Sequence, residues 1–337
     1  MSRKTFRKII TNEFEIENIN PKNRFLIEQF LKEKNTRLSD KSIGNYRGHL
    51  NIFFVWNSKY NDNKHFCDIR KSEFLNYFSF VVSDLKWNSA RFNGARSCLS
   101  TLSMFVEKFL DDEFPNFKNI ILRIIDGMPK NEAREKTILS EEQISSLFNF
   151  LIKKEEYQDA CLLALAISSG ARLSELLRFT TDIIDENNVV FNGLFLETTK
   201  KIKTKGRTKQ GKMMNKYIVK DMFLSHYKKW LPVREEIMKK NGVEHDFIFI
   251  NTDGKPAKEQ NIRSWIKKWE TFLQVPFYMH SLRHYIVTHL TRLGLSADFI
   301  IEIMGWTSSE MYKIYNDLSA KDREWKELIN LEEHLRK

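Results

Sequence analysis

The chain has 337 residues and a mass of 40.2 kDa, more than a single hydrophobic core usually supports, so two domains are expected. A hydrophobic share of 42% with 29% charged residues, 6 Pro and 12 Gly excludes a disordered or collagen-like chain, and no apolar run approaches the length of a bilayer span. Fifty-five Lys+Arg against 44 Asp+Glu leave a net +11, which suggests a polyanionic partner without saying which one. The basic N-terminus runs into Thr11 and Asn12 instead of an apolar stretch, so it does not read as a signal peptide. Cys67, Cys98 and Cys161 are odd in number and far apart, giving neither a disulfide framework nor a metal knuckle. A soluble protein with reduced thiols, no membrane association and an intracellular, cytoplasmic address is expected.

Residues 1–129 read as a helical block. Phe25, Leu26, Phe30 and Leu31 form one helical stripe, and Ile43, Tyr46, Leu50, Phe53 and Phe54 form another within Ser39 to Tyr60. Further helices are expected at Arg70–Asp84 and Ser89–Phe109. This block holds 21 Lys+Arg against 15 Asp+Glu, a net of +6. The stretch 130–136 is polar, follows Pro129 and has no large apolar residue, as an interdomain linker would. Ser140 and Gln143 then make a capping-box pattern ahead of Ile144, Leu147, Phe148 and Leu151. An apolar helix from Asp159 to Ser168 breaks at Ser169-Gly170, and a short helix carries Arg172, Glu175 and Leu176. Val189 to Phe191, Leu194 to Glu197 and Lys216 to Val219 read as a small antiparallel sheet around a polar turn, after which helices return.

Between Thr198 and Lys220 lie nine basic residues and no acidic one (Lys200, Lys201, Lys203, Lys205, Arg207, Lys209, Lys212, Lys216, Lys220). Such density on a hairpin repels itself unless solvent or a polyanion compensates. Gly206, Gly211 and Lys212 have most of the spacing of a phosphate-binding P-loop, but Met213 stands where a magnesium-binding hydroxyl belongs and a strand follows, so that reading fails. In His280-Ser-Leu-Arg283-His284, helical spacing puts His280, Arg283 and His284 on one face. Two histidines at i, i+4 can chelate zinc, but an arginine beside them repels a cation, and a fixed cation with imidazole donors suits a phosphate better. A helix-capping histidine beside a salt-bridged arginine is the simpler structural alternative.

With Gly170-Ala-Arg172-Leu-Ser-Glu175-Leu176, the Gly305-Trp306 pair and Tyr315 nine residues past Trp306, this set resembles the tyrosine recombinase (phage integrase) family, of Xer/Cre-like two-domain type. The resemblance covers roughly residues 140–320, and the helical residues 23–115 look like the family's core-binding domain. It implies a mainly α fold with a small antiparallel β-sheet: an extension over 1–20, a helical, SAM-like core-binding domain over 21–129, a linker over 130–136, a catalytic domain over 137–320, and a C-terminal helix over 321–337 that docks on a neighbouring protomer, with packing on its own domain as the alternative for that helix.

The resemblance further implies a catalytic set of Arg172, a hairpin lysine, His280, Arg283, Trp306 and the nucleophile Tyr315. Glu175 and His284 support phosphate binding, and Lys203, Arg207, Lys209 and Lys212 contact DNA. Lys205 fits the hairpin lysine best, with Lys209 and Lys212 as alternatives. Trp306 stands where histidine is commoner, and its indole N–H can equally donate to a phosphate oxygen. The implied reaction cleaves and rejoins duplex DNA at specific recombination sites through a 3′-phosphotyrosyl intermediate, with no metal, cofactor or ATP. The implied assembly is a homotetramer on DNA, from free monomers or dimers, at the nucleoid. Its role would be integration or excision of a mobile element, or Xer-type resolution. A catalytically inactive DNA-binding accessory protein of the same fold and a relaxing topoisomerase of type IB-like chemistry are the alternative readings.

Overall fold

The computed structural model describes residues 11–129, 139–204, 211–306 and 308–315, the side chains of Ile314 and Tyr315 excepted. These residues form two compact units, one on each side of the 130–138 stretch. The expected linker and the C-terminal segment 321–337 lie outside the described residues.

The first unit is helical: α1 (Glu13–Glu17), α2 (Pro21–Asn35), α3 (Asp40–Tyr60), α4 (Lys71–Ser83), α5 (Ser89–Phe109) and α6 (Ile121–Ile124). Four helices begin on side-chain caps, from Asn12, Asn20, Ser39 and Asn88, each an oxygen that accepts an otherwise orphaned first-turn N–H. The apolar stripes read from the sequence meet in a largely aromatic core, except for Phe25, which faces solvent on α2; within the core Phe53 lies between Tyr77, edge-on at 4.8 Å, and Phe74, stacked at 5.8 Å. A polar pin runs through it. Buried Asn23 donates to Lys64 O at 2.8 Å and accepts from Phe66 N at 2.9 Å, while Asn57 also donates to Lys64 O at 2.8 Å, which satisfies the backbone of the loop after α3. Ile19, within the expected N-terminal extension, is part of this core.

The second unit is built around α8 (Tyr157–Ser169), whose residues from Asp159 onward are all buried. Ahead of it, α7 (Glu141–Lys153) starts on the expected capping box, Ser140 Oγ accepting from Gln143 N and Gln143 Oε1 accepting from Ser140 N. Behind it come α9 (Leu173–Leu176) and the strands β1 (Val189–Val190), β2 (Phe195–Glu197), β3 (Ile202–Thr204), β4 (Lys212–Met214) and β5 (Tyr217–Val219). The strands β1, β2 and β5 form an antiparallel sheet in the order β1-β2-β5, with Leu196 opposite Ile218.

The strands β3 and β4 pair separately, Ile202 opposite Met214, in an extra hairpin where the sequence pattern suggests only a polar turn. Its three-residue strands alternate Ile202 and Thr204 inward with Lys203 outward, a pattern hidden by the surrounding lysines. The unit closes with α10 (Lys220–Asn241), α11 (Glu259–Leu273), α12 (Met279–Arg292), α13 (Ala297–Met304) and α14 (Ser309–Tyr315). The buried stretch 247–250 is tied to α10 by Trp230 Nε1 and Arg234 Nε, which donate to the carbonyls of Ile248 and Phe247, both at 2.8 Å. Among the described residues, no helix is long and apolar enough to cross a membrane.

Candidate active site

The site grows from the end of α8. Gly170 terminates the helix with φ +56, a left-handed conformation that glycine adopts without strain, and a Cβ there would sit 2.6 Å from Met304 Sδ. The chain reverses at once. Arg172 becomes the N-cap of α9: its N–H donates to Glu175 Oε2 at 3.1 Å and its guanidinium Nη1 donates to Glu175 Oε1 at 3.0 Å. The G-x-R-x-x-E pattern is therefore half of a capping box, the Glu175 carboxylate accepting from the N-cap N–H, joined to an ion pair between the two side chains.

Glu175 has no exposed surface, and a second cation reaches it. Lys216 Nζ donates to Glu175 Oε2 at 2.9 Å, with its own side chain only 2% exposed. Lys216 is held by its backbone, the N–H donating to Thr198 Oγ1 and the carbonyl accepting from Thr198 N, both at 3.0 Å, just before β5. The third cation is Arg283 on α12, 1% exposed, which donates through Nη1 to the Gly170 carbonyl and lies 5.1 Å from the centre of the Trp306 ring. Trp306 is buried directly after α13, whose C-terminal glycine, Gly305, is left-handed at φ +66. A Cβ at Gly305 would collide with Met214, so the β4 strand seats on the turn that presents Trp306.

One carboxylate thus stands among three cations, for a net of +2 in a poorly solvated place. Burial by itself raises the pKa of Glu175, but Lys216, Arg172 and the Arg172 N–H outweigh it and bring the group down to about 2, so it is ionised. For Lys216, burial first and then Arg283 and Arg172 push the pKa down against the pull of Glu175. Arg172, with a quarter of its side chain exposed, opens the cluster to solvent. A buried excess of positive charge with the Arg172 guanidinium at its surface is suited to an anion with several oxygens, such as a phosphodiester.

The expected site residues divide as follows. Arg172, Glu175, Arg283 and Trp306 come together at the junction of α8, α9, α12 and α13. His284, 7% exposed, is on α12 beside Arg283, whereas His280, in the first turn of α12, is exposed, so the face expected to hold all three is split by burial. Tyr315 is the last residue of α14, which packs on α12 and α13; its side chain lies outside the described residues. The hydroxyl of Tyr312 is 3.1 Å from Thr291 Oγ1 on α12, a packing position. Lys203 and Lys212 are exposed on β3 and β4, while Lys205, Arg207 and Lys209 lie outside the described residues.

The family spacing does not single out Lys216 from the eight other basic residues between Thr198 and Lys220. A signal was present: period-two alternation puts Lys216 on the face of Ile218, which is fully buried. Among the described residues, no cluster of three or more His, Cys, Asp or Glu is placed to hold a metal ion.

The model of the Phage integrase family matches residues 137–322, more than half of the chain. The SPbeta prophage-derived recombinase-like protein YomM of Bacillus subtilis (strain 168) is 25% identical over 252 residues, covering 74% of this chain and 71% of that protein. Tyrosine recombinase XerD of Staphylococcus haemolyticus is 23% identical over 302 residues, covering 87% and 94%. Of solved structures, the pre-cleavage complex of the XerH site-specific recombinase bound to difH substrate is similar with a TM-score of 0.64 at 20% identity, covering 88% of this chain and 94% of that one. The Tn1549 transposon integrase in complex with transposon right end DNA reaches 0.63 at 15% identity, covering 91% and 99%. With a family model over residues 137–322 and the fold of these recombinases, the chain belongs to the phage integrase family and is a tyrosine-type recombinase.

Proposed function

We propose that this chain is a site-specific DNA recombinase that cuts one strand of a duplex by attack of Tyr315 on phosphorus, holds the 3′ end as a phosphotyrosyl ester, and passes it to another 5′ end. The observation that carries this reading is the clustering of the partly exposed Arg172 with the buried Lys216 and Arg283 around the single carboxylate of Glu175. Attack on a phosphodiester gathers negative charge on the non-bridging oxygens, and fixed donors that need no rearrangement stabilise that state most. Arg172 and Arg283 bind those oxygens, and His284 and Trp306 add neutral donors. The Tyr315 oxygen forms the new bond to phosphorus as the bond to the 5′ oxygen breaks. His280 orients the phenol or takes its proton, and a lysine of the basic hairpin, Lys205 or else Lys209 or Lys212, protonates the departing 5′ oxygen. Because one phosphoester replaces another at each step, the cycle requires no nucleotide hydrolysis.

The partner is double-stranded DNA carrying recombination sites, bound by Lys203, Arg207, Lys209 and Lys212 together with the basic first unit. A homotetramer assembles on it from free monomers or dimers, with segment 321–337 docking on a neighbour, in the cytoplasm at the nucleoid. Integration or excision of a mobile element and Xer-type resolution are both compatible with this chemistry. The test is a nicked suicide duplex of the chain's own recombination site, from which cleavage releases a short fragment and traps the protein. Wild type should form a covalent adduct and Tyr315→Phe none. If wild type forms none, the chain is a binding protein of this fold, and relaxation of any supercoiled plasmid without a preferred site would make it a topoisomerase.

A further inference from the structure

We infer that Lys216 is a positioning residue for strand cleavage: its ammonium, buried against Glu175, fixes the carboxylate that in turn holds Arg172 in place for the phosphate. This rests on the recombinase reading and names a part of the site that the family pattern read from the sequence did not include.

The geometry makes Glu175 a hinge pin with both oxygens in use. Oε1 takes the Arg172 guanidinium at 3.0 Å, and Oε2 takes the Arg172 N–H at 3.1 Å and Lys216 Nζ at 2.9 Å. Remove Lys216, and Oε2 retains only the backbone N–H among these, in a residue with no exposed surface. Lys216 itself has little freedom to leave. Its backbone is pinned on both sides by Thr198, and β5 is in register with β2 immediately after it, Tyr217 opposite Glu197 and Ile218 opposite Leu196.

A buried ion pair is a poor way to gain stability, since apolar side chains of the same volume usually do as well, and a pair placed one residue contact from the guanidinium that meets the phosphate is better explained by orientation. Lys216 does not face the substrate in this arrangement: Glu175 lies between it and Arg172, so it acts through the carboxylate. The charged groups acting on Glu175 and Lys216 are Arg172 ahead of α9 and Arg283 on α12; Lys203 on the neighbouring β3 is exposed.

The consequence reaches the pH profile. In the wild type Glu175 is held ionised far into acid, because Lys216 and Arg172 outweigh the burial that raises its pKa. Without Lys216 burial meets less opposition, so Glu175 takes a proton at higher pH and releases Arg172 there. The experiment compares single-turnover adduct formation on the suicide duplex, from pH 5 to pH 8, for wild type, Lys216→Met, Lys216→Arg, Glu175→Gln and the double variant Lys216→Met/Glu175→Gln, with duplex affinity measured alongside.

Lys216→Met should lower the cleavage rate about a hundredfold, as loss of alignment does, and move the acid limb of its profile upward by about one pH unit, with duplex affinity little changed. Lys216→Arg, which keeps the charge and the donor, should restore the wild-type acid limb. The double variant should be no slower than Glu175→Gln alone, because one device has been removed twice. A Lys216→Met protein with the wild-type rate and acid limb, or a double variant slowed by the product of the single effects, overturns the inference. Should Lys216→Met not fold, Lys216→Gln in the Glu175→Gln background leaves no carboxylate orphaned; equal rates with and without the lysine are expected there, and a further tenfold loss overturns the inference. Absence of any adduct from wild type would instead remove the recombinase reading, so the two failures are separable.

Discussion

Glu175 shows how much one side chain can organise. It caps α9, pairs with Arg172 and Lys216, and is the anion that allows three cations to be packed together. Its pKa of about 2, against an ordinary 4.5, means that its ionised form is favoured by folding: the stability it contributes is fully present above the ordinary value and lost as pH falls from about 4.5 toward 2. Glu175→Gln keeps the shape but leaves Lys216 and Arg172 without their counter-charge, so it should cost about 3 kcal/mol of unfolding free energy at pH 7. Urea titrations at a series of pH values check both parts. The gap between wild type and Glu175→Gln should be widest at neutral pH and close on acidification below about 4.5. A gap that does not depend on pH would mean that the loss is one of packing alone.

At the scale of elements, the site depends on helix ends. Gly170 ends α8 and Gly305 ends α13, both left-handed, and the first turn packs against Met304 at the end of α13 and Ile286 on α12. An alanine at 170 meets both penalties, a Cβ at φ +56 and contacts of 2.6 Å to Met304 Sδ and 3.2 Å to Ile286 Cγ2. Gly170→Ala should lower stability by about 1–3 kcal/mol. It should also depress adduct formation, because the Gly170 carbonyl is the acceptor for Arg283. Thermal unfolding together with suicide-duplex cleavage tests this; full stability would show that the turn yields easily. The extra β3–β4 hairpin works in the same way, since β4 brings Met214 against Gly305 and the lysine-rich strands thereby join the turn that presents Trp306.

For the whole molecule the relevant quantity is net charge. The +11 of the chain is spread over both units, with +6 in residues 1–129 and a dense run between Thr198 and Lys220. Binding through phosphates releases counterions, so duplex affinity should fall steeply as salt rises, and each lysine that touches a phosphate contributes about 0.9 to the slope of log affinity against log salt. The double substitution Lys203→Gln/Lys212→Gln should reduce that slope by about 2 while leaving discrimination between sequences unaltered, as fluorescence anisotropy across a salt series would show. An unchanged slope would place these two exposed lysines off the DNA.

The sequence by itself determined a good deal. The four long helices of the first unit, the capping box at Ser140, the break at Gly170 and the three-stranded sheet all follow from local rules, caps, periodicity and glycine, that act within a few residues, whereas the short α1 and α6 do not stand out in the sequence. The spacing of Arg172, Arg283, Trp306 and Tyr315 pointed to the family, because that spacing is linear information. Only the tertiary structure decided that His280 is exposed while His284 is buried, that β3 and β4 pair as their own hairpin, and that Lys216, alone among the described basic residues of its segment, turns inward to Glu175. Burial of a charge is set by what lies across the fold, here a carboxylate 41 residues away, and no count of lysines in a segment can say which of them has found its partner.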